Sequence, residues 1–373
     1  MEKRRFRLRA IILTAALSVL VTLGAAALTL WLLLGTHGLA IATGTVIINT
    51  QFVGEYDKDA LADAALGAMV NSLGDRWSYY MDAKGYEDQQ LWRDNAYVGI
   101  GVTVLYTEDG LHIQSVTEGG PAEAAGLLPG EFIIAVDGTD VTGDNATGGS
   151  DLIKGEEGTQ VTLTVVDAVG EKRQVDITRK RIITDPVSYE LLEGHIGYVA
   201  LENFFNGSAD RVIAAVEDLT AQGADGLIFD MRDNPGGYLK EMTDLLDYLL
   251  PEGDIYRSGT RAGPKEVVRS DASCVDLPMA VLINANTYSA AELFAAQMRE
   301  SISAPIVGQP STGKGYSQQT FWLPGGRALN ISTKTYYTGS GVSLIGVGVT
   351  PDEIVELTGE GDAQLDAAVR LFD

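Results

Sequence analysis

The sequence predicts an α/β chain of several domains, with a β-rich module placed ahead of a strand–helix part and an apolar helix at the N-terminus. Three observations lead there. Ala10 to Leu34 run without a charge, the stretch from Tyr97 breaks into short β-like runs punctuated by glycine, and from Ile196 apolar runs alternate with helical periodicity. At 373 residues and 45% hydrophobic content the chain is too long for one compact core.

The N-terminal element comes first. Lys3, Arg4, Arg5, Arg7 and Arg9 precede 25 uncharged residues, Ala10 to Leu34. At about 1.5 Å per residue such a helix spans a hydrocarbon core of roughly 30 Å. A secretory signal peptide is the rival reading, but its apolar stretch usually covers about 7 to 15 residues. A single-pass anchor is therefore expected, with residues 1–9 as a cytoplasmic basic tail and everything after Gly35 outside the cell membrane by the positive-inside rule.

Composition excludes several classes. Twenty-seven basic against 51 acidic residues give a net charge of -24, which repels nucleic acid. One cysteine, Cys274, allows no intramolecular disulfide and no cysteine-based metal site, and His37, His112 and His195 are scattered. Neither a metal nor an organic cofactor is expected.

Asp59 to Leu73 reads as a helix, with Leu61, Leu66, Met69, Val70 and Leu73 at helical spacing, and Trp77, Tyr79, Tyr80 and Met81 follow as an aromatic cluster. Residues 35–92 are expected to form a helical segment for docking or self-association, and a homo-oligomer stays open. Next come "YVGIGVTVL", "LHIQSV", "EFIIAVDG" and "TQVTLTVV". The stretch "GGPAEAAGLLPGEFIIAVDGTDV" joins a short helix at Pro121 to Ala125 to a strand at Phe132 to Val136 and a turn at Asp137-Gly138. That order resembles a PDZ domain over residues 93–183. The resemblance implies that Val98, Gly99, Ile100, Gly101 and Val102 form the loop receiving a peptide's terminal carboxylate, beside which the peptide adds as a strand.

From Ile196, "IGYVAL", "GLIFD" and "MAVLI" are apolar runs, separated by helices with Val212, Ile213, Val216 and Leu219 on one face, or Leu245 and Leu249 on another. The helical "AAELFAAQMRE" follows the third run. The alternation implies a layered α/β domain over residues 184–373.

Lys314, in "IVGQPSTGKGYSQQ", has three readings. Gly308, Gly313 and Lys314 satisfy a phosphate-loop spacing, but Gly315 stands where a magnesium-binding Ser or Thr belongs, and the next segment alternates like a hairpin. A solvated turn is the plain alternative. The third is a base with its pKa lowered by burial, with Tyr316, Phe321 and Trp322 as the dry surroundings.

The third reading needs a nucleophile. In "INANTYSAAELFAAQ" a strand end leads to Ser289 and then a helix. Ser289 and Glu292 form an S-x-x-E capping box, a sufficient structural reason for both. A serine at that corner is also exposed as a nucleophile, with the N–H of Ala290 aimed at a developing oxyanion. No histidine sits in a loop that naturally meets Ser289, so a Ser-His-Asp triad is disfavoured, and a serine–lysine pair remains. Gln318 offers an amide to orient the amine, and in "DMRDNPGG" Gly236 or Gly237 is the candidate for the second oxyanion donor.

The PDZ-like segment, "DMRDNPGG", "INANTYSAAE", "GQPSTGKGYSQ" and "TKTYYTGSGVSLIGVGVTPD", in this order, resemble the C-terminal processing peptidases, or tail-specific proteases. The resemblance implies Ser289 as nucleophile, Lys314 as general base, Gln318 as the residue orienting it, a PDZ domain gating access, and a crotonase-like α/β protease core. Two departures stand out: Asn286, Thr287 and Tyr288 precede the serine where the family has small residues, and Lys154 stands where many members carry arginine. The expected protein is a membrane-anchored extracytoplasmic serine endopeptidase acting on peptide or protein chains with free C-terminal tails. An inactive membrane-anchored PDZ scaffold is the alternative.

Overall fold

The computed structural model describes residues 2–261, 266–357 and 361–373, with side chains from Leu13 onward. The side chains of the basic run Lys3 to Arg9 thus lie outside the described residues. The chain divides into two compact units, the first ending at Ala62 and the second spanning Asp63–Asp373.

The first unit is dominated by a helix, Glu2–Gln51, interrupted at Gly35, whose φ of 61° and ψ of -172° are not helical. It runs past the expected end at Leu34 because no charged residue appears before Glu55, so nothing but Gly35 interrupts the apolar pattern. Leu13–Gln51, with a mean hydropathy of 2.3 in its most apolar window, is long and apolar enough to cross a membrane.

The second unit contains three larger sheets. Val102–Thr107, Gly110–Val116, Phe132–Val136, Gln160–Val166 and Lys172–Thr178 form an antiparallel sheet in that order, with Thr139–Asp140 pairing on Phe132–Val136. Leu111, Ile113, Ile133, Leu163 and Val165 alternate inward along it and are fully buried. The turn Asp137-Gly138 has positive φ at both residues, which suits the right-handed twist of the strands it joins. Val98 and Gly99 belong instead to a separate strand, Ala96–Gly99, paired with Lys180–Ile183. The loop expected over Val98 to Val102 is therefore only Ile100 and Gly101, with Val102 opening the next strand.

The second sheet, in the order Val187–Leu192, Ile196–Leu201, Gly226–Asp230, Met279–Ile283, Ile306–Gly308 and Glu353–Ile354, is parallel after its first pair. Gly226–Asp230 and Met279–Ile283 are buried at every position, as a sheet covered on both faces requires. Leu227 and Phe229 pack with the helices Ser208–Ala221, Leu239–Leu249 and Ala290–Ile302, while Ile228 packs with Ala367 and Ala368 of Ala363–Val369. In the third sheet Ala328–Tyr337 pairs with Tyr79–Met81, Gly253–Gly259 and Tyr316–Trp322. The hairpin Tyr316–Trp322 to Ala328–Tyr337 is the one expected after Lys314.

Candidate active site

Where the parallel strand Met279–Ile283 ends, the chain turns sharply into the helix Ala290–Ile302. Ser289 sits at that corner with φ 63° and ψ -122°, a strained conformation for a residue with a side chain. Its N–H donates to Glu292 Oε2 at 2.9 Å, the half of the capping box that begins on the serine backbone. Ala290, as the first helical residue, has an N–H with no intrahelical acceptor.

Glu292 does more than cap. It is fully buried, and its two oxygens also accept from Ser311 Oγ at 2.5 Å, Gly313 N at 2.6 Å and Lys314 N at 2.9 Å. Burial pushes its carboxyl above the ordinary range, and these donors work against that rise. One carboxylate thus ties the serine corner to the lysine loop. The Tyr336 hydroxyl donates to the carbonyl of Lys314 from the other side. Burial pushes that phenol well up, with Glu292 adding to the rise and Ser289 partly offsetting it.

Ser289, Lys314 and Gln318 all line one cavity of about 570 Å³. The Lys314 amine lies 4.8 Å from the ring centroid of Trp77 and 5.5 Å from that of Tyr288, two rings that stack on each other at 5.8 Å. Loss of hydration lowers its pKa from the ordinary 10.5 to about 8; Glu292 and Asp75 work against this, while Arg93 and Arg76 add to it. The dry walls are Trp77 and Tyr288, not the expected Tyr316, Phe321 and Trp322: Tyr316 does not line the cavity, and Phe321 and Trp322 are 42% and 67% exposed. At about 3.3 Å per residue the hairpin carries Trp322 roughly 25 Å from Lys314, too far to desolvate it.

Gln318 donates its amide nitrogen to Tyr316 O at 2.9 Å and Ser332 Oγ at 3.0 Å. Any contact with the amine therefore runs through its carbonyl oxygen, the atom able to accept from an ammonium. Asp75 sits beside this group: burial opposes its charge, but Ser78, Ser332, the N–H of Trp77 and the Lys314 ammonium outweigh that and hold its carboxyl below the usual range. Among the described residues no hydrogen bond joins Lys314 Nζ to Ser289 Oγ, and none of the three histidines lines the cavity. A strand, Tyr316–Trp322, follows Lys314 where a phosphate loop needs a helix, and a Cβ on Gly315 would lie 2.1 Å from Ile345 Cγ1.

The turn "DMRDNPGG" packs directly on the serine. A Cβ on Gly236 would stand 2.7 Å from Ala290 N and 2.8 Å from Ser289 Cβ, so only glycine fits. The buried Asn234 holds the turn in place, accepting the Gly236 N–H at 2.8 Å and the Tyr288 N–H through its carbonyl at 3.1 Å. That leaves Gly237, pressed against Phe204, as the residue of the pair whose N–H has no such acceptor. Asp230 and Arg232 have a structural place: Arg232 bonds Asp230 Oδ2 at 2.5 Å and Asp362 Oδ2 at 2.7 Å, pinning the end of the strand to the C-terminal helix.

Arg76, Trp77, Arg93 and Tyr336 are cavity residues that sequence reasoning missed, as it missed Asp75, whose charge acts on Lys314 from outside the lining. The aromatic cluster at Trp77 to Met81 was the available signal, but its partners lie more than 200 residues away in the chain.

The model of peptidase family S41 matches residues 195–355, and that of the PDZ domain residues 112–167. The chain is 34% identical over 318 residues to a carboxy-terminal-processing protease of Bartonella bacilliformis, covering 83% of this chain and 73% of that one. It is 31% identical over 312 residues to the carboxy-terminal processing protease CtpA of Bacillus subtilis, covering 83% and 67%. A solved photosystem II D1 C-terminal processing protease has a similar fold, with a TM-score of 0.51 at 25% identity over 86% of this chain and 87% of that one.

Proposed function

Since this chain belongs to peptidase family S41, a family of serine peptidases, and carries a PDZ domain, we propose that it cleaves peptide bonds by acyl transfer to Ser289 with Lys314 as general base. One observation carries the reading: a serine held in a strained helix-start corner shares a cavity with a lysine whose amine is dehydrated enough to titrate near 8. At pH 7 about one such amine in ten is free to accept a proton, against roughly one in 3,000 for an ordinary lysine.

In this reading Ser289 Oγ attacks the scissile carbonyl while Lys314 Nζ takes the hydroxyl proton and returns it to the leaving amine; water then hydrolyses the acyl-enzyme. The N–H groups of Ala290 and Gly237 face the oxyanion, and Gln318 steadies the amine. In this structure the amine rests on the rings of Trp77 and Tyr288. Rotation of the lysine's own side chain brings it to the serine when substrate fills the cavity, in line with catalytic contacts that tighten only on binding.

The wider assignment is a basic cytoplasmic tail at 1–9, a membrane anchor at 10–34, a helical segment at 35–92, a PDZ domain at 93–183 and a crotonase-like protease core at 184–373, working outside the cell membrane. The long apolar helix and its break at Gly35 support the anchor. Val102–Thr107 is the edge strand of the PDZ sheet, which supports capture of an extended chain end beside it, with Ile100 and Gly101 at its carboxylate end. Family membership and the shared cavity argue against an inactive scaffold.

The test is incubation of the full chain in detergent with an unfolded protein. The native chain is expected to degrade it, and Ser289→Ala to fall by about 1,000-fold or more. Equal degradation by the two would remove Ser289 from the reaction.

A further inference from the structure

The chain carries 51 acidic residues against 27 basic ones, yet among the described residues the cavity around Ser289 is lined by Arg76, Arg93, Lys314 and Lys334 and by no carboxylate. Lys334 is neutralised by Glu266 at 2.8 Å. Arg76 and Arg93 form no ion pair among the described residues. The Arg76 guanidinium lies over the Trp77 ring, 4.1 Å from its centroid; that of Arg93 lies 5.8 Å from the centroid of Tyr238 and donates to Thr320 Oγ1 at 3.4 Å. The carboxylate next to Arg93 in the chain, Asp94, is occupied by Arg181 and Asn206.

Both guanidinium groups repel the ammonium form of the catalytic lysine, while Glu292 and Asp75 attract it, so neither arginine is placed there to support that charge. Aromatic faces hold the forks in place and leave most of their N–H donors unused, a geometry suited to bidentate capture of a carboxylate. The overall negative charge does not prevent this, since exposed charges are screened beyond about 8 Å at physiological salt and a ligand in the cavity meets the cations of its lining directly.

We propose that Arg76 and Arg93 form a carboxylate-binding subsite of the active cavity, so that the favoured substrates place an acidic side chain or a free chain end there. This rests on the reading of Ser289 and Lys314 given above and adds to it a substrate class.

The experiment uses the full chain in detergent and unstructured peptides differing by Glu, Gln or Lys at positions on either side of the scissile bond, each made with a free and an amidated C-terminus. The Glu peptides are expected to exceed the Lys peptides in kcat/KM by about tenfold or more, less at high salt. In Arg76→Gln/Arg93→Gln the ratio should fall toward one, and in Arg76→Glu/Arg93→Glu it should invert; a purely structural role would slow all peptides alike. A preference that follows the free terminus identifies the chain end as the carboxylate source. Equal kcat/KM for all peptides overturns the subsite. If the native chain cleaves none of them, the Ser–Lys reading fails instead, and the subsite is still decided by fluorescence anisotropy of the same peptides on Ser289→Ala, where Glu peptides must bind tighter than Lys peptides.

Discussion

Lys314→Met is expected to lower peptide cleavage by about 1,000-fold or more while raising the melting temperature at pH 7. The two effects share one cause. Methionine fills the space between Trp77 and Tyr288 with an uncharged chain of similar length, so the base is lost and the dehydrated charge goes with it. The stability effect has a defined pH course. The folded-state pKa of about 8 lies below the ordinary 10.5, so between these values the unfolded chain binds more protons, and native stability rises with pH. The cost of the lysine is complete below pH 8 and gone above about 10.5, and the advantage of Lys314→Met should shrink across that window. Thermal melts of both chains at several pH values check this; a destabilised Lys314→Met at pH 7 would mean that the amine is not held at a net cost.

Glu292→Ala should be the most damaging change in the site to fold and activity together. It removes the acceptor of four donors, from Ser289, Ser311, Gly313 and Lys314. At about 1–3 kcal/mol for each buried donor left without a partner, the loss is at least about 4 kcal/mol, a large share of a typical domain's stability. Glu292→Gln should recover only part of it, because one amide oxygen replaces two carboxylate oxygens and its NH2 group, even when turned toward the Ser311 hydroxyl, still faces the Gly313 N–H donor. Cleavage by the folded fraction should still drop about 100-fold or more in both variants, since the serine corner and the lysine loop lose their shared anchor. Urea unfolding and peptide hydrolysis measured side by side check this, and a near-native Glu292→Ala would show that the carboxylate does not hold the two loops together.

The elements with a strong local pattern were legible in the sequence. The strand Phe132–Val136, the helix that follows Ser289 and the hairpin after Lys314 follow from alternation, capping and turn chemistry. Ser289 and Lys314 stand out in the sequence as a serine at a strand-to-helix corner and a lysine between two glycines, and Gln318 by its place four residues after the lysine; the fold brings all three to one cavity. Contacts over long sequence separation could not: nothing near Lys314 announces that Trp77, 237 residues earlier, forms the wall that dries it. The hairpin aromatics Phe321 and Trp322 were the nearer choice by sequence and the wrong one in space. Glu292 was visible as a helix cap, but its bonds to Ser311, Gly313 and Lys314 depend on how two strand ends meet. The preference for Gly237 over Gly236 depends likewise on Asn234, whose side chain occupies the Gly236 N–H.

The most direct measurement is kcat/KM for one unstructured peptide across pH 6 to 11. A lysine base that the cavity has dehydrated predicts a rate rising with pH to a plateau, with an apparent pKa of about 8. A rise centred near the ordinary value of 10.5, or a profile with no ionisation in this range, would contradict it.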